Sequence, residues 1–314
     1  MKFPDRFDII IAAGTIKPYI NRTPVQTSEN LNKMFNTSLF FKCENFQKAG
    51  AFKSRGACNA VFSLYEHDAK NGVATHSSGN FAQALSRAAM LRGIKAHIVM
   101  PENSAQVKID AVKSYGGNIT FCIPTLEARE TTLLKVIEET GAIEIHPYDN
   151  NKVIAGNGTA TLELLKDVRN LDYIIAPVGG GGLLSGTALA AHYLSPETKV
   201  IAAEPEQAND AFKSFYSKEF VPSVNPNTIA DGLRTSLGQL TFPIILKHVQ
   251  DIFTVSEADI IEAMQIIWER MKIIIEPSSA VCLAAVKNKP DIFTNKNVGI
   301  ILSGGNVDLK NLPW

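Results

Sequence analysis

Apolar residues recur along this chain in two alternating sets. In the first, from Ala60 to His146, short apolar runs give way to helical spacing. Val73-Ala74-Thr75 precedes a helix over Phe81 to Leu91, His97-Ile98-Val99 a helix over Val107 to Tyr115, and Ile119-Thr120-Phe121 a helix over Leu126 to Glu139, before Ile143-Glu144-Ile145 closes the set. The second set begins near Val153, with a helix over Thr159 to Val168, a strand over Tyr173 to Ala176, a glycine loop leading into a helix from Leu183 to about Tyr193, and a strand over Lys199 to Ala203. A loop-rich section from Glu206 to Gly238 follows, then helices over Glu257 to Met271 and Ser278 to Lys287 and a last strand over Val298 to Leu302. Ahead of both sets, a helix, a turn at Arg22-Thr23-Pro24 and a short helix near Ser28 to Met34 lead to the strand-like run Leu39-Phe40-Phe41-Lys42 and the helical pattern Ala57, Ala60, Val61, Leu64. Strands alternating with helices predict parallel sheets joined by crossover helices, an α/β fold.

At 314 residues the chain suits one or two domains sharing an interface. Its 31 basic side chains balance its 31 acidic ones, which argues against nucleic acid or an anionic membrane as partner, since phosphates select a basic face. No uninterrupted apolar stretch reaches the roughly 18 residues of a membrane span. The opening Met1-Lys2-Phe3-Pro4-Asp5 carries an acid and a proline ahead of Ile9-Ile10-Ile11 and does not read as a signal peptide; the cytoplasm is the expected location. Cys43, Cys58, Cys122 and Cys282 lack paired spacing and read as buried thiols in a reduced compartment. The histidines show no metal-ligand spacing, and His76 reads as structural.

Four stretches carry candidate chemistry. In Phe52-Lys53-Ser54, Lys53 falls between a strand and a helix start, near a positive helix end that disfavours an ammonium. An exposed loop lysine is the alternative reading of that stretch alone. Val178-Gly179-Gly180-Gly181-Gly182-Leu183 joins an apolar strand to a helix, so its amides can wrap a phosphate. Leu302-Ser303-Gly304-Gly305-Asn306 ends another buried strand with a hydroxyl, and Thr75-His76-Ser77-Ser78-Gly79-Asn80 adds a polar loop at a fourth strand end. A lysine able to shed its proton, an anion cradle and polar strand ends are what a Schiff-base cofactor such as pyridoxal phosphate (PLP) requires. The glycine loop lacks the G-x-G-x-x-G spacing of a dinucleotide site.

The chain resembles the fold-type II PLP enzymes (tryptophan synthase β-like), and within them the serine racemase and serine/threonine dehydratase group. The resemblance is carried by Phe41-Lys42-Cys43-Glu44, His76-Ser77-Ser78-Gly79-Asn80, Val153-Ile154-Ala155-Gly156, Pro177-Val178 with Gly179 to Gly182, Thr228-Ile229-Ala230-Asp231-Gly232 and Leu302 to Asp308, in the family's order. It implies two doubly wound parallel-sheet domains, a small one over residues 62–149 inserted in a large PLP-binding one made of residues 1–61 and 150–314. It also implies racemisation of serine with elimination of water from L-serine, extending to L-threonine. The alternatives are a dehydratase alone, acting on serine, threonine or 3-hydroxyaspartate, and a non-catalytic binding protein on the same fold. Only Leu309 to Trp314 follow Asp308, so the regulatory domain of the larger threonine dehydratases is not expected.

Residue by residue, the resemblance makes Lys53 the Schiff-base lysine and the base on one face of the substrate Cα. It makes Ser78 the acid or base on the other face, where dehydratases commonly carry alanine; a loop serine touching the substrate carboxylate is the alternative. Ser77 joins the substrate loop. Asn80 would bond the ring hydroxyl and also suits an N-cap, while Phe81 departs from the family, which has histidine there. Ser303 would face the pyridine nitrogen, Gly179, Gly180, Gly181, Gly182 and Leu183 would cradle the phosphate, and Tyr148 matches a cofactor contact. Arg129 matches an arginine that reaches a second substrate carboxylate, with a solvated helix charge as its alternative. Glu204, Asp210 and the carbonyl of Ala208 match a site for Mg²⁺ or Ca²⁺, otherwise a surface acidic loop. Lys48, Gln83, Tyr115, Lys272 and Asn306 match positions that bind ATP between the subunits of a homodimer, whereas Ala49 and Glu29 depart from that pattern.

Overall fold

The computed structural model describes residues 2–77, 79–104 and 106–314, the Leu126 side chain excepted. The chain opens with α1 (Arg6–Ile16), β1 (Val25–Gln26), α2 (Glu29–Phe35), β2 (Ser38–Cys43) and α3 (Lys53–Phe62). It then builds α4 (Glu66–Ala69), β3 (Val73–His76), α5 (Asn80–Arg92), β4 (Ala96–Pro101), α6 (Gln106–Ser114), β5 (Asn118–Cys122), α7 (Leu126–Thr140) and β6 (Ile143–Glu144). The remainder runs α8 (Asn151–Asp167), β7 (Tyr173–Pro177), α9 (Gly182–Leu194), β8 (Lys199–Pro205), α10 (Asp210–Ser217), α11 (Thr241–His248), β9 (Asp251–Val255), α12 (Glu257–Met271), α13 (Pro277–Asn288), α14 (Pro290–Phe293) and β10 (Asn297–Leu302).

Two sheets result. One has the order β1-β2-β10-β7-β8-β9, parallel except where β1 meets β2, and the other the order β5-β4-β3-β6, parallel throughout. The six-stranded sheet buries one face against α12 and α13, through residues such as Ile260, Met264, Ile267, Val281 and Leu283, and the other against α9 and α11, through Leu184, Ala188 and Ile245. Buried positions Ile260, Ala263, Met264 and Ile267 follow the helical stripe of α12, whereas α13 is covered nearly all round from Ser278 to Val286. The four-stranded sheet packs α3 and α5 on one side and α7 on the other.

Three helices touch backbone to backbone. A Cβ on Gly156 would stand 2.6 Å from the Arg55 carbonyl, and one on Gly186 2.5 Å from the Ile154 carbonyl. Glycine therefore sets how closely α8 lies between α3, which carries Lys53, and α9, which carries the glycine loop.

The expected strands are present, and several expectations need correction. Helix α8 starts at Asn151, not near Thr159, and Gly156 and Gly158 within it serve its close packing. The section read as loops contains α10, and beyond it α11 and β9 were not expected. Pro243 sits in the first turn of α11, where a proline costs no helix hydrogen bond. Asn80 is the first residue of α5 behind Gly79, and its side chain is bonded elsewhere, so it is not the N-cap.

Candidate active site

Lys53, the Ser77 loop, the glycine loop, Glu204 and Ser303 all follow or end strands at the carboxyl edges of the two sheets, where open α/β sheets leave a crevice. Lys53 opens α3, and its Nζ donates to the Pro147 carbonyl at 3.1 Å. The Phe52 and Phe81 rings flank that nitrogen, with centroids at 5.0 and 5.6 Å. Burial pulls the amine down to about 8, against a smaller upward pull from Glu276, so an appreciable share is neutral near pH 7. Phe81, 1% exposed, is thus a core wall beside the lysine, packed with Ala57, Leu85 and Val153.

The helix that carries Lys53 is held from behind. Arg55, wholly buried, donates to Glu44 at 2.7 and 2.8 Å and to Glu163 at 2.9 and 2.8 Å. Lys42 Nζ meets the same Glu163 at 2.6 Å and the Thr23 carbonyl at 2.7 Å. Two cations and two carboxylates cancel, and each has hydrogen-bonded partners, the condition under which buried charge is tolerated.

Across from Lys53, no described residue accepts from the amides of Gly179, Gly180 or Gly181, and the start of α9 has no side-chain cap. Gly181 has φ +86°, which favours glycine, and Gly180 is covered so closely by Tyr148 that a Cβ would stand 2.4 Å from its ring. Thr241 Oγ1 donates to the Gly180 carbonyl at 2.9 Å, and Asp149 caps the start of α11 by accepting from Leu240 N–H at 2.8 Å. Free amides at a helix N-terminus form an anion site, so this loop fits the PLP phosphate. Leu183 is buried just behind it.

Ser303, 3% exposed, follows β10 with its Oγ 3.1 Å from Ser279 Oγ, and Ser279 also bonds the Gly304 backbone. Asn80 Nδ2 donates to both Glu276 oxygens, while Asn80 Oδ1 accepts from Asn306 Nδ2. Burial lifts Glu276 to about 7.

His76 and His146 stand edge to face at 5.7 Å, and His146 meets Tyr148 at 4.6 Å. Burial drives both imidazoles down to about 4, helped at His76 by His146 and Arg129 and at His146 by Lys53, so both rings are neutral at pH 7. Arg129 is half-buried in the first turn of α7, its charge felt at His76 and Tyr148. Ser77 amide donates to the Val99 carbonyl at 3.1 Å. Ser78 lies outside the described residues.

Glu204, wholly buried, accepts from the Ala211 and Phe212 amides at 3.0 and 2.9 Å. Asp210, on the same turn, has two buried oxygens that accept no hydrogen bond among the described residues, and burial raises both carboxyls, Asp210 to about 6. That orphaned pair is the kind of donor a hard cation satisfies, with the carbonyl of Ala208 beside it; among the described residues no group of three metal-ligating side chains occurs. Of the nucleotide set, Asn306 bonds the Ala49 carbonyl next to Lys48, and Gln83 is buried on α5, which packs on the same turn. Tyr115 follows α6, and Lys272 is an exposed C-cap of α12 that bonds none of the others among the described residues.

Sequence reasoning missed Glu276, Ser279, His146, Asp149 and Thr241. The available signal for the first two was an acid at the end of the apolar run Ile273-Ile274-Ile275, followed by Pro277-Ser278-Ser279.

Residues 16–304 match the family described as "Pyridoxal-phosphate dependent enzyme", and the chain belongs to it. The serine racemase of Dictyostelium discoideum is 53% identical over 312 residues, covering 97% of this chain and 95% of that one. The β-hydroxyaspartate dehydratase of Paracoccus denitrificans is 52% identical over 314 residues, the whole of both chains. The crystal structure of the Dictyostelium serine racemase superposes with a TM-score of 0.93 at 52% identity, over 97% of this chain and 99% of that one. The fold is that of the fold-type II PLP enzymes, and the protein is a PLP-dependent enzyme of the racemase and dehydratase kind.

Proposed function

We propose that the protein racemises serine and, at the same site, eliminates water from L-serine to give a 2-oxo acid and ammonia. The observation that carries this reading is the buried Lys53 amine, walled by Phe52 and Phe81, in a chain 53% identical to a serine racemase. Bound PLP supplies an electron sink that loosens the substrate Cα proton. Lys53 Nζ takes or returns that proton on one face, and Ser78 Oγ, assigned by its motif, does so on the other. Gly179 to Gly182 and Leu183 hold the phosphate, Tyr148 covers that loop, Asn80 reaches the ring hydroxyl, and Ser77 serves the substrate carboxylate. Ser303 Oγ meets the ring nitrogen without fixing a proton there as a carboxylate would, which suits proton return as well as elimination.

Incubation with L-serine and separate measurement of D-serine and pyruvate tests this: both accumulate. Pyruvate without D-serine would leave a dehydratase alone. Ser78→Ala removes D-serine formation while sparing much of the elimination, and equal loss of both would refute the two-base assignment.

A second reading is favoured by Arg129, whose charge reaches His76 beside the substrate loop, and by the 52% identity to a β-hydroxyaspartate dehydratase. In it, Arg129 receives the second carboxylate of 3-hydroxyaspartate. Arg129→Ala then lowers kcat/KM for 3-hydroxyaspartate about tenfold or more, as expected for a lost charged hydrogen bond, and leaves L-serine turnover unchanged.

Further parts of the proposal are a small domain over residues 62–149, Mg²⁺ or Ca²⁺ held by Glu204, Asp210 and the Ala208 carbonyl, and a homodimer. ATP as effector at Lys48, Gln83, Tyr115, Lys272 and Asn306 is supported by resemblance and by the closeness of the Lys48 turn to Asn306.

A further inference from the structure

The Asn80 amide is fixed from both sides. Glu276, 4% exposed, presents its two oxygens to Asn80 Nδ2 at 2.9 and 3.1 Å. Because Asn306 Nδ2 donates to Asn80 Oδ1, the nitrogen end of the Asn80 amide is the one turned to Glu276, which accepts through an oxygen whether or not the carboxyl carries a proton. On the other side Asn80 Oδ1 accepts from Asn306 Nδ2 at 2.9 Å, and that nitrogen is itself oriented because it donates to the Ala49 carbonyl, another acceptor, at 2.8 Å. The two hydrogens of an amide nitrogen diverge too widely for one carboxylate to take both. One Asn80 N–H therefore stays uncommitted. Asn80 opens α5, which packs on the four-stranded sheet, whereas Glu276 caps α13 and Asn306 follows β10 of the six-stranded one.

We infer that Glu276 is a positioning residue that turns the Asn80 amide so that an N–H, not a carbonyl oxygen, is offered to the ring hydroxyl of bound PLP. The inference rests on the cofactor contact proposed above for Asn80. A donor at that place favours the ionised ring oxygen, whereas an acceptor favours the protonated hydroxyl. Glu276 does this through Asn80 and touches no reacting atom.

The test is the absorbance of PLP-loaded protein, in which the ratio of short- to long-wavelength cofactor bands reports protonation of the ring oxygen, with PLP titration of the apo-protein alongside. Measured well above pH 7, where the Glu276 carboxyl is ionised, Glu276→Gln replaces an acceptor-only group by an amide that can present either end, and the ratio rises about tenfold, the scale of a hydrogen bond to a charged group. Asn306→Ala keeps the carboxylate but releases Asn80 Oδ1 and moves the ratio the same way; Asn80→Ala marks the full effect. A purely structural role for Glu276 would lower the melting temperature without changing the ratio. An unchanged ratio in Glu276→Gln beside a shifted one in Asn80→Ala overturns the inference, as does an unchanged ratio in all three. A parent protein with no visible cofactor band would sink the cofactor reading itself.

Discussion

At the scale of single residues, chemistry follows from burial. Lys53 is an ordinary lysine in sequence, and its surroundings in the fold lower its amine to about 8. A folded-state value below the unfolded one means that the native protein binds fewer protons, so this group costs stability below about pH 8 and the cost fades toward the ordinary lysine range near 10.4. The same shift governs reactivity. The rate at which apo-protein couples to PLP rises with pH and levels off just above 8; a rate still climbing at pH 10 would show an unperturbed amine. The strand-end placement of the lysine, the four glycines and Ser303 was legible in the sequence, because apolar runs mark the strands they follow. Glu276 was not, because Asn80, its partner, lies 196 positions away. Ser279 hides for the same reason, its contact with Ser303 being made only when β10 meets α13.

At the scale of elements, glycine does two opposite things. Inside α8 it weakens the helix intrinsically, by roughly 0.5–1 kcal/mol per position relative to alanine, and it misled the placement of the helix start by eight residues, from Asn151 to Thr159. In the folded chain it permits the contacts that space α3, which carries Lys53, from α9 and its glycine loop. Gly156→Ala drives a Cβ to 2.6 Å from the Arg55 carbonyl; overpacking of this kind costs about 1–3 kcal/mol, and it weakens PLP binding because α3 must move. Gly14→Ala, in α1 with no atom within 4 Å of the new Cβ, is the control and stabilises by roughly 0.4–1 kcal/mol. Denaturant melts and PLP titrations of the two variants check this; equal effects would contradict the spacing role. The alternating pattern made the strands and most helices legible, whereas α11 and β9 were hidden by a tolerated proline and a short edge strand.

At the scale of the whole molecule, the ion pairs are of unequal worth. Lys108 of α6 pairs with Asp231 at a partly exposed site, where an ion pair contributes about 0–1 kcal/mol. The buried Arg55, Glu44, Glu163 and Lys42 cluster is of a different order, since deleting one member strands another's charge at a cost of about 3–5 kcal/mol. Arg55→Met therefore lowers the urea midpoint strongly and Lys108→Ala barely moves it; the reverse order would contradict this ranking. The strand ends of the two sheets meet through side chains: Phe81 stands beside Lys53, and Asn80 bonds Glu276 and Asn306. That meeting could be anticipated only from strand-end placement, because no local pattern records which strand ends face each other.

The central claim is a covalent link between Lys53 and PLP whose phosphate rests on Gly179 to Gly182. Borohydride reduction of the loaded protein, proteolysis and mass mapping of the peptides test it directly. The account predicts a phosphopyridoxyl mass on the peptide containing Lys53 and nowhere else. That mass on a different lysine, or on none, would contradict it.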